Sequence, residues 1–407
     1  MTHVRTTPIR RAILGFFVLL LTACGPSSKQ PAEPSASDVA TTPTPDDDAL
    51  ESTQAPEIPN IPFAMAGGGP QRLFRAQAPG PRERPTVLRT FTTGGRIAAS
   101  PIIGPDGSIY IGSTDGSFNA LRRNGALRWS FICPEPCFAT AAISQSGVVY
   151  VGCDDDAFRA FTSDGTLRFT YRMRHDADSP AAIAEDGTIY TGGDGLHALS
   201  SGGQRKWKLL TGGHVSAPPS IRHDDTIIVG SHDHRLYAAS PSGTALFAFG
   251  TGGIIQGAAA ILEGDDAVFG SSDGHVYRLL PAGGLRWKTA LGASIDTGVS
   301  VSPDEQRLFV GTMRGEVVAL HAEDGNVIWR TATGDSIRAT PMLDSDGVLF
   351  VGSRDRHLYA LDAASGTILW RLNLGSEIDT TVAITATRQL LVGADDGNLY
   401  FIGAPTP

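Results

Sequence analysis

Short runs of apolar or alternating residues, each closed by a glycine, recur along most of the chain. Ile109-Tyr110-Ile111 ends at Gly112, Val148-Val149-Tyr150-Val151 at Gly152 and Leu349-Phe350-Val351 at Gly352. The closing glycines fall at Gly112, Gly152, Gly192, Gly230, Gly270, Gly311, Gly352 and Gly393, at spacings of 40, 40, 38, 40, 41, 41 and 41 residues. Runs of this length bounded by turn residues predict β-strands. After each glycine come a turn and a second strand, as in Asp273-Gly274 leading to Val276–Leu279. Another turn then opens a strand carrying an aromatic: Trp129, Phe169, Trp207, Phe247, Trp287, Trp329 or Trp370. A step such as Ser100-Pro101, Ser179-Pro180, Ala217-Pro218 or Thr340-Pro341 marks a further strand at the front of the unit. Four short strands per repeat of ~40 residues predict an all-β fold, an eight-bladed β-propeller of four-stranded blades over residues 86–403. The eighth unit runs out after Leu399-Tyr400-Phe401. Val87-Leu88-Arg89-Thr90-Phe91 matches Leu127-Arg128-Trp129-Ser130-Phe131, so the N-terminal strand is expected to close the ring and remove its free edges. Residues 404–407 are left as a tail.

Composition agrees with this reading. The 407 residues include 48 glycines with 41% hydrophobic and only 18% charged residues, the balance of a turn-rich globular chain. Net charge is -9. Removing a leader that carries Arg5, Arg10 and Arg11 leaves 30 basic against 42 acidic residues, or -12. An acidic chain without a Lys/Arg tract in its repeats predicts no nucleic-acid partner.

The first residues follow a different plan. Arg10-Arg11 precede an apolar run from Ala12 to Leu21 that is too short to span a bilayer, the pattern of a secretory leader. It ends in Leu21-Thr22-Ala23-Cys24, which resembles the lipobox of bacterial lipoproteins. The resemblance implies a signal peptide over 1–23 and lipidation of Cys24, whose acyl chains would anchor the protein to a membrane. Gly25, where inner-membrane lipoproteins often carry Asp, implies an outer-membrane lipoprotein on the periplasmic face or the cell surface. Residues 24–85 are rich in Pro, Ser, Thr and Ala and read as a disordered tether, with the arginines Arg72, Arg75, Arg82 and Arg84 solvated.

Ala360-Leu361-Asp362-Ala363-Ala364-Ser365-Gly366-Thr367-Ile368-Leu369-Trp370 is similar to the Ala-x-Asp-x-x-Thr-Gly-x-x-x-Trp signature of PQQ-like propellers, and Ala319 to Trp329 keeps its Ala, Gly and Trp. The repeats thus resemble those of quinoprotein dehydrogenases and of BamB, a lipoprotein of the outer-membrane β-barrel assembly machine. For the enzymes the resemblance would imply a quinone resting on two adjacent cysteines, with calcium beside it. Adjacent cysteines are missing here, since Cys133, Cys137 and Cys153 follow Cys24. The expectation is therefore a non-enzymatic protein without catalytic residues, cofactor or metal. It is read as a monomeric envelope scaffold that binds another envelope protein or a polysaccharide. A BamB-like accessory role in outer-membrane barrel assembly is the alternative, and a quinone-dependent dehydrogenase a more distant one.

Comparing the repeats sorts structural from functional residues. Asp115, Asp155, Asp233, Asp273, Asp355 and Asp396 share one turn position, which predicts a side chain bonding the backbone two residues on. His232-Asp233-His234 is read as an exposed turn rather than a metal site. Positions that leave the plan are the candidates for a partner surface: Asp154, Asp156, Arg172, Arg174, His175 and Asp176, and the branched pair Ile254 and Ile255. In an exported compartment three cysteines allow one disulfide. Cys133 to Cys137 is the expected pair, with Cys133 to Cys153 left open.

Overall fold

The computed structural model describes residues 65–404. The proposed signal peptide, Cys24, the tether as far as residue 64 and residues 405–407 lie outside the described residues. None of the described residues forms a helix long and apolar enough to cross a membrane.

Thirty-two strands form eight four-stranded antiparallel sheets. We number the blades 1 to 8 by residues 102–132, 142–172, 182–209, 220–250, 260–290, 300–332, 342–373 and 383–403. In each blade a two-residue inner strand is followed by three longer strands in order outward. Blade 8 takes its outer strand from Thr86–Thr92, which pairs antiparallel with Asn398–Gly403; Phe91 faces Leu399 and Thr90 faces Tyr400. The ring closes as the repeat count requires.

Packing between blades explains why the repeat looks as it does. The loop from each outer strand to the next blade drops an apolar residue onto the closing glycine of the blade it leaves. Ile255 covers Gly230, Ile295 covers Gly270, Ile337 covers Gly311, Ile378 covers Gly352 and Ile97 covers Gly393. A Cβ on Gly230 would stand 2.6 Å from the Ile255 carbonyl oxygen, so no other residue fits without moving backbone. The covering isoleucines are fully buried, at 0% exposure each. The aromatic of the outer strand crosses to the next blade. The Trp329 indole lies against Gly366, a glycine held at φ 73°, and its Nε1 donates to the Ala363 carbonyl at 3.2 Å. Trp129, Trp207 and Trp287 make the same bond to Ser163, Pro241 and Ala322.

The structure corrects the tether boundary. Residues 65–80 form an inner belt rather than a solvated linker. Ile221, Ile261, Val301 and Leu343, the second residues of the inner strands of blades 4 to 7, donate their N–H groups to the carbonyls of Pro70, Gln71, Leu73 and Phe74 at 2.9 to 3.1 Å. Met65 and Phe74 are buried, and Arg72 is fully so. The Arg72 guanidinium donates to the carbonyls of Ala66, Ala181 and Pro219, and burial lowers its pKa to about 9. Where the belt leaves the ring, Gly80 N–H donates to Asp344 and the Pro81 carbonyl accepts the Trp370 indole, the bond that a neighbouring blade's turn supplies elsewhere. Gly-rich, Ala-rich and Pro-rich composition hid this segment. Its bonds to the inner strands of blades 4 to 7 run through main-chain carbonyls, and its few anchors, Met65, Arg72 and Phe74, carry no periodicity.

Deleting residues 85–92 should abolish the single cooperative thermal transition, because blade 8 loses its outer strand and the ring both its edges' partners. Retention of the full transition by differential scanning calorimetry would contradict closure by this strand.

Candidate functional site

The turns after the closing glycines and the loops between blades lie together on one face of the ring. Their shared chemistry is structural. Asp115, Asp233, Asp273, Asp355 and Asp396 each accept the N–H two residues on, at 2.8 to 3.2 Å. Asp115, Asp233, Asp273 and Asp355 also accept an N–H from the incoming loop, at Gly94, Gly212, Gly252 and Gly334. Tyr237, Tyr277, Tyr359 and Tyr400 donate to the same carboxylates as their blades allow. These bonds hold the ionised form and keep Asp233, Asp273 and Asp355 below the usual carboxylate range, against the opposing effect of burial.

Blade 2 breaks that arrangement. Arg159 stands where blades 4, 5, 7 and 8 place Tyr, and its guanidinium forms a buried ion pair with Asp155, which makes no bond to the residue two on. Arg172 also reaches Asp155, through its carbonyl at 2.9 Å, while its own side chain stays 67% exposed. Arg174, His175 and Asp176 are exposed in the loop beside it. Asp156 occupies a left-handed turn position, φ 60°, and is half-buried.

Asp154 is the unusual group of this face. One of its carboxylate oxygens is shut off from solvent and has no hydrogen-bond partner among the described residues. Burial, and the negative charges of Asp176, Asp178 and Glu135, push its pKa up to about 7. Nearby, His214 bonds Asp178 at 2.8 Å, which raises the histidine's pKa. His214 stacks edge-on with His232, whose pKa is lowered by burial; His232 bonds Ser216 at 2.9 Å, so the His232-Asp233-His234 turn brings only one of its histidines inward. Asp154, Asp176, His214 and His232 thus meet across blades 2 to 4, while Arg172 and Arg174 stand on the outer side of the same loop.

Two expectations change. Ile255 is a buried glycine cover present in most blades, so it leaves the candidate surface; Ile254 is half-buried. The disulfide joins Cys133 to Cys153, not to Cys137. Cys137 is a buried thiol that takes the glycine-cover position over Gly112, and burial raises its pKa to about 12. The separation of only four residues suggested the wrong partner because Cys137 is committed to that packing position. The observed bridge, 20 residues apart in sequence, ties blade 1 to blade 2 and contributes about 3 kcal/mol by loop closure.

Sequence comparison overlooked two residues. The position three past the aromatic of the outer strand, the strand's last residue or in blade 3 the one after it, holds Thr92, Gly250, Ala290, Ala332 and Asn373 in five blades, but Ile132, Arg172 and Leu210 in blades 1 to 3. Ile132 is 65% and Leu210 72% exposed. Aligning that one column would have found them.

The family model described as outer membrane protein assembly factor BamB matches residues 172–294 and 272–404. The chain belongs to this family of PQQ-like propellers. BamB from Moraxella catarrhalis is similar in structure, with a TM-score of 0.66 at 16% identity over 78% of this chain and 99% of that one. A europium-containing methanol dehydrogenase superposes with a TM-score of 0.70 at 13% identity, covering 82% of this chain and 91% of its own. Quinohemoprotein alcohol dehydrogenase from Comamonas testosteroni gives 0.72 at 12% identity, over 87% of this chain and 82% of that one. No curated protein matches by sequence. The residues present do not fit a quinone of the kind the resemblance implies. The adjacent-cysteine support is missing, the three described cysteines are buried within the packing of blades 1 and 2, and the belt lines the inner strands of blades 4 to 7.

Mass mapping of the non-reduced protein should recover the Cys133–Cys153 peptide pair, with Cys137 alkylated only after unfolding; a Cys133–Cys137 pair would contradict the packing. Asp154 binds a proton in the folded state up to about pH 7 but in the unfolded state only to its ordinary value near 3.8. Its contribution to stability therefore declines as pH rises between those values. Asp154→Asn should match the parent near pH 4 and melt higher at pH 8, by thermal unfolding monitored with circular dichroism.

Proposed function

We propose that this protein is a non-catalytic binding scaffold of the bacterial envelope, anchored through Cys24 at the outer membrane, that docks a protein partner on the rim of blades 1 to 3. The observation that carries this reading is the row Ile132, Arg172 and Leu210, three bulky side chains where the remaining blades place small or polar ones. Two exposed aliphatics and a cation at equivalent positions of three successive blades offer a partner apolar anchors with a charge between them, the make-up of a protein contact rather than of a surface that only holds solvent. Arg174, His175 and Asp176 border it, and Asp154 lies inward of them. Aliphatic side chains offer a polysaccharide few hydrogen bonds, which favours protein over glycan.

A BamB-like accessory role in assembling outer-membrane proteins is the specific form of this reading that the family match and the structural likeness to BamB favour. In that role the rim would meet a component of the assembly machinery. Against dehydrogenase chemistry stand the missing cysteine pair and the belt along the inner strands.

Crosslinking in intact cells followed by affinity purification should recover the barrel-assembly machinery with the parent protein. Reversing charge at Arg172 and Arg174, or replacing Ile132 and Leu210 by Ser, should lower recovery about tenfold or more, as expected for central contact residues. Unchanged recovery in both variants would remove the rim from the interface. Stoichiometric binding of pyrroloquinoline quinone with calcium, accompanied by alcohol oxidation, would overturn the non-catalytic reading.

A further inference from the structure

The belt covers only part of the ring. In antiparallel pairing the second residue of each two-residue inner strand turns its N–H away from its own blade, toward the axis. Those of blades 4 to 7 are met by belt carbonyls, and the Ile183 N–H of blade 3 contacts the Met65 sulfur at 3.2 Å. The equivalent groups of blades 8, 1 and 2 belong to Ile384, Ile103 and Ile143, and none has an acceptor among the described residues. Burial narrows the boundary to two blades. Ile143 of blade 2 is 1% exposed, like Ile183, Ile221, Ile261, Val301 and Leu343 at 0 to 4%, whereas Ile103, Ile384 and its neighbour Ala383 are only half-buried. The open arc therefore centres on blades 8 and 1.

We propose that this arc is a second binding site, which takes an extended apolar peptide segment of a partner protein. The belt supplies the template for the occupant. It is a single strip of chain that runs around the inside of the ring, kinked by left-handed Arg72 and Phe74 (φ 55° and 49°), gives about one carbonyl per blade to an inward N–H and sets apolar side chains, Leu73 and Phe74, against the inner strands. The arc continues the same circle of donors past the point where the belt leaves it between blades 7 and 8, at Gly80 and Pro81. Unmet main-chain donors beside half-exposed isoleucines select main-chain acceptors and apolar side chains together. A small anion would satisfy the first and leave the second wet; a folded surface cannot bring carbonyls to an axis lined by eight strands. Recognition of this kind reads backbone rather than sequence, so the partner is defined by an extended, proline-tolerant, apolar stretch.

This site stands apart from the rim of blades 1 to 3, and reversing Arg172 and Arg174 should leave it untouched. The test is site-resolved amide hydrogen exchange on the full chain, with and without a capped synthetic peptide of residues 70–77 as the probe. Free protein should show fast exchange at Ile103 and Ile384 and slow exchange at Ile221, Ile261, Val301 and Leu343, which serve as the internal record of an intact ring. Peptide should slow Ile103 and Ile384 by about tenfold or more and leave the belted amides unchanged. The same peptide with its Leu and Phe replaced by Ser should have no effect. The proposal is overturned if Ile103 and Ile384 are already as protected as the belted amides without peptide, since the chain itself would then fill the arc. It is also overturned if the peptide protects neither residue, or only loosens the belt.

Discussion

The contact between each closing glycine and the apolar residue above it sets the terms for everything else in the ring. It requires the absence of a Cβ on one side and a buried apolar residue on the other, branched in six blades and Cys137 or Ala177 in blades 1 and 2. That pair fixes how close the loop leaving one blade comes to the strands it has just left. Because the contact is made eight times, an error in one place is propagated by close packing to both neighbours. The Asp latches and the crossing tryptophans add hydrogen bonds to a spacing that the glycines have already set.

The belt solves a different problem. Inner strands of two residues cannot satisfy their own inward N–H groups, and a buried unpaired amide costs on the order of 1–3 kcal/mol. Covering five blades with one continuous segment meets that cost and ties the chain's N-terminal side into the ring before it closes blade 8. Arg72 shows how tightly: a guanidinium without an acidic partner is held by three carbonyls. The unfilled arc and the exposed rim of blades 1 to 3 are what remains once the fold has used its own groups.

Most of the architecture was readable from the chain because the repeat is periodic. Gly112 to Gly393, the aromatic column and the match of Val87–Phe91 to Leu127–Phe131 gave blade number, blade composition and closure. What was not readable depends on contacts between distant positions. Ile255 looked like a departure beside Ile254, but it is one of eight glycine covers whose role appears only when the loop is folded back. Cys137 looked like the partner of Cys133 by spacing, yet it fills the same cover position, which leaves Cys153 to pair. The belt has no period at all. In the candidate site, Arg172, Arg174, His175 and Asp176 stand exposed where the sequence placed them, and Asp154 and Asp156 lie beside them. Ile132 and Leu210 were hidden because single exposed aliphatics are common at strand ends.

The account assigns stability to positions that keep the repeat and binding to positions that leave it. Gly230→Ala tests this division most directly, with chemical unfolding and partner crosslinking measured on the same preparation. A Cβ there meets the backbone of Ile255, so the account predicts a loss of about 1–3 kcal/mol in unfolding free energy, with partner recovery unchanged at temperatures where the ring stays folded. Parental stability, or a folded protein that no longer recovers its partner, would contradict it.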